Sequence, residues 1–331
     1  EICACLVGSE MCIRDRYYPV DYIGLFALYQ LADDATLRQR ARHLIDRLMQ
    51  TSALHYQSGM AAGTMGRVYE KELLASQLSE LCAFGHVAWG GGRLNRKCAS
   101  LPFFCLSDYT PPTESARYAR LTHGALSAHY RCGGGKIVVW KQPTVSLASC
   151  VDHHPGERGH QQHLIDVQFA TRPDARLWLN HPGDVQPGSE ARPSFWAGNG
   201  VLPQVKQKNN RALVRWRLDA DESIGWTHLH LVREAFDDVE PLARGFAVRA
   251  GKGFAAVLCS QPLSVAGDEV RAEGCNVTWW LEVGEGDDAA FRAFCQRMAT
   301  TQDDEWADVE TAAFPMLAGN DIQITLPGDE Q

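Results

Sequence analysis

Partway along the chain, the spacing of the apolar residues changes from helical to strand-like, and this order limits the folds that the chain can adopt. Apolar residues recur at helical intervals in Asp21–Leu31, in Ala35–Met49 and in a third segment from about Tyr69 to Cys82. From about Leu121, short apolar runs separated by Gly, Pro, Asp and Asn replace this pattern. A run of helices followed by a run of strands predicts an α+β fold or two separate domains.

The second part of the chain predicts a large antiparallel β-sandwich, because its apolar runs are short and regularly interrupted. The predicted strands are Lys136–Trp140, Thr144–Val151, His163–Ala170, Ala175–Leu179, Ala212–Leu218, Trp226–Val232, Phe246–Ala250, Phe254–Cys259, Val277–Val283 and Asp321–Leu326. One helix, Asp287–Met298, interrupts the series, and Lys97–Thr113 is predicted as a connection. The earlier helices are expected to pair as hairpins, which stack into bundles or toroids.

The first residues are predicted to be foreign to the protein. Leu6–Arg16 reads LVGSEMCIRDR, which matches the translation of a transposon-type sequencing adapter. Scars of this kind are excluded from reasoning about the fold. We therefore expect a metagenomic fragment whose native sequence starts near Tyr17, with a foreign segment (1–16), a truncated helical domain (17–113) and a β-sandwich domain (114–331).

Charge and cysteine usage exclude several classes of protein. The net charge is −8 and there is no basic run, so a nucleic-acid partner is not expected. No apolar run approaches the roughly 20 residues that a membrane helix needs, so no membrane partner is expected either. The cysteines from Cys82 onward form no CxxC pair, which argues against a zinc ribbon or a thioredoxin motif. Unpaired thiols would allow a cytoplasmic location.

Five of the twelve histidines fall between His153 and Gly183. Imidazole is a common metal ligand and a proton shuttle near neutral pH. Side chains alternate along a strand, so His160 and His163 should face opposite sides unless a bulge intervenes. His163 is more plausibly joined by His181 on the next strand, and by a third ligand from the sequence WTHLH at 226–230. The alternative is that these are surface or hydrogen-bonded histidines.

Two further segments are candidates for catalysis and for sugar binding. Arg67 and Tyr69 lie at the start of the predicted third helix, and a tyrosine needs cationic neighbours to act as a base. A loop with Arg192, Trp196 and Asn199 suits sugar recognition, because aromatic faces pack on pyranose rings while polar groups fix their orientation. The alternative for Arg67 and Tyr69 is that they only begin a helix. The alternative for the loop is that its aromatic residues only plug the edge of the sandwich.

The chain resembles the heparinase II/III-like polysaccharide lyases, which combine an incomplete α/α toroid with an antiparallel β-sandwich. The sandwich of that family opens with Gly-His-x-His-x-Asp, and an apolar strand ending near Asp-x-Gly follows. The chain has GHQQHLID at Gly159–Asp166 and RLWLNHPG at Arg176–Gly183. Two residues instead of one separate the histidines, and Asn180-His181 stands where an Asp is expected. The fold implied is a toroid remnant followed by the sandwich.

The resemblance implies β-elimination on an acidic polysaccharide or oligosaccharide that contains uronic acid, in a cleft between the two parts of the chain. Tyr69 would be the acid/base and His160 a second base, while Arg67 and Asn199 would hold charge. The implied substrate-binding residues are Arg192, Trp196 and Asn199. A glycoside hydrolase that uses two carboxylates, or a carbohydrate-binding protein without catalysis, would have the same architecture.

The resemblance also implies one structural zinc or other divalent metal in the sandwich, and no organic cofactor. Its ligands, carried over from the family, would be His163, His181 and His228. A periplasmic or secreted location would follow from the family, and a homodimer is a further open expectation.

Overall fold

Helices and packed antiparallel sheets make up this computed structural model, so the predicted α+β fold is confirmed. The structure describes residues 18–95, 98–132, 135–151, 153–301 and 322–325. The segment predicted to be foreign, 1–16, lies outside the described residues, as does the expected native start at Tyr17. No helix in the described ranges is both long enough and apolar enough to cross a membrane.

The helical part precedes the large sheets. Its described helices are α1 (Tyr18–Leu31), α2 (Ala35–Leu54), α3 (Glu70–Leu73), α4 (Glu80–Trp89), α5 (Leu101–Cys105) and α6 (Thr113–Ala119), with the hairpin of β1 (Tyr56–Gln57) and β2 (Met60–Ala61) after α2. The Asp34 side chain begins α2 by accepting the N–H groups of Thr36 and Leu37. Tyr22 stacks on Phe84 with ring centres 4.4 Å apart, which joins α1 to α4. That these helices are the remnant of a toroid stays a prediction.

The structure corrects the helical prediction in two places. The segment from Tyr69 to Cys82 is not one helix, because α3 ends at Leu73 and a 3₁₀ turn follows before α4 begins. The Ser79 hydroxyl accepts the N–H of Cys82, which caps a new helix at that point. The predicted connection Lys97–Thr113 contains α5, which has a proline in its first turn.

Two sheets form the sandwich. In spatial order the large sheet contains β14 (Leu263–Ala266), β15 (Glu269–Glu273), β10 (Trp226–Leu231), β7 (Arg176–Asn180), β6 (Ile165–Phe169), β5 (Val145–Val151), β4 (Gly135–Lys141), β3 (Leu126–Cys132) and β17 (Ile322–Thr325). The small sheet contains β11 (Asp238–Leu242), β12 (Gly245–Ala250), β13 (Gly253–Cys259), β16 (Asn276–Glu285), β9 (Arg211–Arg217) and β8 (Gln204–Lys208). Neighbouring strands are antiparallel, except that β17 pairs with β3 in parallel.

Apolar side chains from both sheets fill the core between them. On β10, Leu229 and Leu231 point into this core, and the alternate residues His228 and His230 point to the other side of the sheet. The outer face of the small sheet is covered by α7 (Asp288–Ala299). The helical part and the loop residues Phe195 and Trp196 cover the outer face of β5, β6, β7 and β10, whose outward-pointing side chains are buried as well.

Lys141 fastens the helical part to the large sheet. Its ammonium lies 2.6 Å from the carbonyl oxygen of Tyr56, 2.5 Å from that of Tyr118, 3.4 Å from that of Ala53 and 3.3 Å from that of Ala119. Burial lowers the pKa of Lys141 to about 7, while the carbonyl groups at the ends of α2 and α6 favour the charged form. This one side chain therefore joins two helix ends to β4.

Candidate functional site

A row of buried side chains crosses the side of the large sheet that faces the helices. Asp166 on β6 lies opposite Trp178 on β7, and Trp178 lies opposite His230 on β10. They alternate along their strands with apolar residues that fill the sandwich. The large sheet therefore presents its polar groups towards the helical part, where predicted catalytic residues also lie.

Asp166 is held by a cation and an imidazole. Nε of Arg176 lies 3.2 and 2.9 Å from the two carboxylate oxygens of Asp166, Nη2 donates to Oδ2, and Nε2 of His163 is 2.8 Å from Oδ2. Burial alone would raise the pKa of Asp166, but Arg176 and His163 hold it below its ordinary value. Nη1 of Arg176 also donates to the carbonyl oxygen of Leu73, at 3.2 Å. The pair thus connects the sheet to the end of α3.

Two hydrogen bonds join the two segments that carry the predicted catalytic residues. The N–H of Val68 donates to the carbonyl oxygen of Gln161, and Nε2 of Gln161 donates to the carbonyl oxygen of Val68, both at 3.1 Å. Arg67 and Tyr69 flank Val68, and His160 immediately precedes Gln161. Residues far apart in the sequence therefore meet at the start of α3.

Tyr69 has two cationic groups over its ring. The guanidinium carbon of Arg192 is 5.3 Å from the ring centre, and the ammonium of Lys71 is 5.5 Å from it. Arg192 and Lys71 are exposed, and Tyr69 is half-buried. Cations at this distance favour negative charge nearby and attract anionic ligands. The sequence analysis predicts Arg192 as a substrate-binding residue but does not select Lys71, whose only signal is its place two residues after the tyrosine.

Trp196 lies inside the protein and not on its surface. Its side chain is 6% exposed, its ring stacks on His228 with centres 4.4 Å apart and planes at 12°, and it meets His230 edge-on at 4.9 Å. Its carbonyl oxygen accepts the indole N–H of Trp178. In this position Trp196 packs against His228 and His230 in the interior and offers no free face to a sugar ring.

Asn199 links its own loop by hydrogen bonds to the segments around His160 and His181. Its Oδ1 accepts the N–H of His181, and its Nδ2 donates to the carbonyl oxygen of Gln162. Its backbone exchanges hydrogen bonds with Gly159 and His160. Because Asn199 is 1% exposed, its geometry supports a role in holding His160 in place rather than a direct contact with a ligand.

His160 lies in a turn instead of on a strand. Its φ is +44°, in the left-handed region, and the N–H of Gln162 donates to the carbonyl oxygen of Gly159 at 2.8 Å. The strand predicted to start at His163 begins only at Ile165. The turn, and not pleat alternation, therefore separates His160, which is exposed, from His163, which is buried.

The first test of the predicted metal site is whether its imidazoles can offer a nitrogen lone pair. Nδ1 of His181 accepts the N–H of Val201 at 3.1 Å, and Nε2 lies 2.8 Å from the carbonyl oxygen of Ile224, to which it donates. Burial lowers the pKa of His181, in keeping with a neutral ring. Both nitrogens of His181 are thus already engaged by the protein.

His228 is engaged in the same way. Nδ1 lies 2.9 Å from a carboxylate oxygen of Glu269, and Nε2 lies 3.0 Å from the carbonyl oxygen of Phe195. Across the part of the chain that the structure describes, no three His, Cys, Asp or Glu side chains form a group that could hold a metal ion. The imidazoles of His181 and His228 are therefore not free to bind a metal in this arrangement. A metal site formed by His163, His181 and His228 stays a prediction from the resemblance.

His230 is a neutral imidazole in the interior. It is 3% exposed, and its ring stacks on Trp178 with centres 3.8 Å apart and planes at 11°. Within the described residues, neither of its ring nitrogens has a hydrogen-bond partner. Burial, helped by the nearby positive charge of Arg176 and by His228, lowers the pKa of His230 to about 3. The His230 ring is therefore neutral in the folded protein near neutral pH.

Acidification is expected to destabilise the protein through His230. The pKa of this histidine is 6.5 ordinarily but about 3 in the folded protein. Between these values the unfolded chain binds a proton that the folded protein does not, so stability falls as the pH falls from 6.5 towards 3. At about pH 5, His230 alone should lower the free energy of unfolding by about 2 kcal/mol. Urea unfolding at about pH 5 and about pH 8 measures this loss.

The comparison that isolates this effect is between His230→Phe and His43→Phe. Phenylalanine keeps a ring against Trp178 but cannot take up a proton, so His230→Phe should lose less stability on acidification than the wild type does. His43 is exposed, and its replacement should leave the pH dependence as it was. An equal loss in wild type and His230→Phe would show that other groups cause the acid sensitivity.

No protein-family model matches this chain, and no curated protein matches its sequence. The function proposed for it therefore draws on the arrangement around Tyr69 and on the motif resemblance. The arrangement supplies the contacts of Tyr69 with Lys71 and Arg192 at the start of α3. The resemblance supplies the type of reaction.

Proposed function

We propose that the protein is a polysaccharide lyase that cleaves an acidic, uronic-acid-containing polysaccharide by β-elimination. One observation carries the proposal: the Tyr69 ring lies beside the cationic groups of Arg192 and Lys71, at 5.3 and 5.5 Å. Two cationic side chains are thus placed beside Tyr69 on a chain whose net charge is −8. Such a site favours an anionic substrate even on an acidic protein.

The reaction needs a base, an acid and a group that neutralises a carboxylate. The base removes the proton on C5 of the uronate, and the electron pair of that C–H bond becomes the C4–C5 double bond. The bond between C4 and the bridging oxygen breaks, and the oxygen takes a proton to become the hydroxyl of the departing chain. A single tyrosine can serve both steps, first accepting the proton and then donating it.

Tyr69 is proposed as this acid/base, with His160 on its exposed turn as a second base. Arg67 and Arg192 are proposed to neutralise the substrate carboxylate, which stabilises the negative charge that develops when the C5 proton leaves. Trp196 and Asn199 are proposed to support these groups from the interior, since both are buried.

The test is to incubate the full chain with a panel of uronic-acid polymers and to follow two signals. β-Elimination creates a double bond conjugated with the carboxylate, which absorbs ultraviolet light, and it creates one new reducing end. We expect both signals to rise together on at least one polymer, and neither to rise on a neutral glucan.

Two outcomes would overturn this proposal. New reducing ends without the ultraviolet signal would identify hydrolysis by a pair of carboxylates. Binding of a polymer without either signal would identify a carbohydrate-binding protein that does not catalyse.

A further inference from the structure

We infer that Glu70 is the positioning residue that holds the 184–198 loop, and with it Arg192, over Tyr69. This inference rests on the proposed function for its catalytic consequence only. The attachment of the loop to Glu70 is a separate physical statement, and it has a readout that does not depend on activity.

The Glu70 carboxylate binds the loop at two points. Oε2 accepts the N–H of Gly188 at 2.7 Å, and Oε1 accepts the N–H of Trp196 at 3.1 Å. These two backbone groups lie on either side of Arg192 in the sequence. The loop segment that carries the guanidinium is thereby attached to the helical part at both of its ends.

Glu70 is suited to this role by its burial and by its position. It is 9% exposed, and a buried carboxylate is costly unless it is hydrogen-bonded, which the two N–H donors achieve. It is also the first residue of α3 and directly follows Tyr69. The loop and the tyrosine ring are therefore both anchored to the same short stretch of backbone, Tyr69 and Glu70.

The two cations over Tyr69 depend on Glu70 differently. Lys71 belongs to α3, which does not contain the loop, whereas Arg192 belongs to the loop. Loss of the attachment should therefore displace Arg192 selectively. A displacement of about 1 Å at a catalytic site can cost about 100-fold in rate, so kcat/KM is expected to fall by about tenfold to 100-fold, mainly through KM.

The variant that tests the attachment is Glu70→Gln, because an amide accepts with only one of its two end atoms. One of the two loop N–H groups then loses its acceptor and the loop opens more often. The exposed Glu190 lies in this loop, so glutamyl endopeptidase reports the opening by cleaving after it. We expect cleavage about tenfold faster than in the wild type, under conditions in which both proteins remain globally folded.

Glu240→Gln is the matched control, since it makes the same chemical change on an exposed strand of the small sheet. Its cleavage at Glu190, mapped by mass spectrometry, should equal that of the wild type. Equal cleavage of Glu70→Gln and Glu240→Gln would overturn the attachment.

Kinetics of a double variant test whether Glu70 acts through Arg192. If it does, Glu70→Gln should add no further loss of kcat/KM in an Arg192→Gln background. Losses that multiply would show that Glu70 acts by another route and would overturn the positioning role. A wild-type protein without lyase activity would reject the proposed function, while the cleavage assay would still decide the attachment.

Discussion

Replacing Arg176 by methionine is expected to lower the free energy of unfolding by about 3–5 kcal/mol, because it leaves a buried carboxylate without its cation. Arg176 and Asp166 are each 1% exposed, and the guanidinium also donates to the carbonyl oxygen of Leu73. Methionine fills much of the same space but cannot donate a hydrogen bond. Urea denaturation at neutral pH measures the loss.

Two companion variants separate the effect of the charge from that of lost packing. Arg172→Met breaks an ion pair with Asp174 whose side chains are 51% and 37% exposed, and it should cost less than about 1 kcal/mol. Combining Arg176→Met with Asp166→Leu removes both buried charges, and it should recover most of the stability lost in the single variant. A single-variant loss no larger than that of Arg172→Met would contradict the assignment of Asp166 as an ionised, paired group.

The sandwich could be predicted from the sequence because alternation along a strand is a local property. The predicted strand Trp226–Val232 is observed as β10, and Leu229 points into the core while its neighbours point out, as the pattern requires. The early end of the third helix could not be predicted, because a distant residue contacts it: the carbonyl oxygen of Leu73 accepts a hydrogen bond from Arg176 on β7. Local spacing does not contain that contact.

The sequence offers candidate site residues one at a time, but it does not predict which of them lie close together. Arg192 and Tyr69 belong to separate sequence motifs, and only the structure shows the guanidinium carbon of Arg192 to lie 5.3 Å from the centre of the Tyr69 ring. Glu70 gave no local signal, since its partners are backbone N–H groups 118 and 126 residues away. The turn at His160 is fixed in the same long-range way, because a side chain at Gly198 would lie 1.8 Å from the His160 carbonyl oxygen.

Removing the hydroxyl of Tyr69 is expected to have the largest effect on the proposed activity. Tyr69→Phe should reduce kcat by about 10²–10⁴-fold, the usual contribution of general acid–base catalysis, while KM changes little. Phenylalanine keeps the ring beside Arg192 and Lys71, so the cations that would bind the substrate carboxylate stay in place. The measurement is the initial rate of ultraviolet absorbance on whichever uronic polymer the wild type cleaves.

Tyr29→Phe supplies the matched control for this prediction. Tyr29 is also partly buried and also lies beside an arginine, with its hydroxyl 3.5 Å from Nη1 of Arg42, but it belongs to α1 and has no place in the proposed reaction. Its kcat should equal that of the wild type, and both variants should unfold at the wild-type urea concentration. Full activity in Tyr69→Phe, together with loss of activity in His160→Gln, would transfer the role of base from the tyrosine to the exposed histidine, because His160 lies on the segment that adjoins Tyr69.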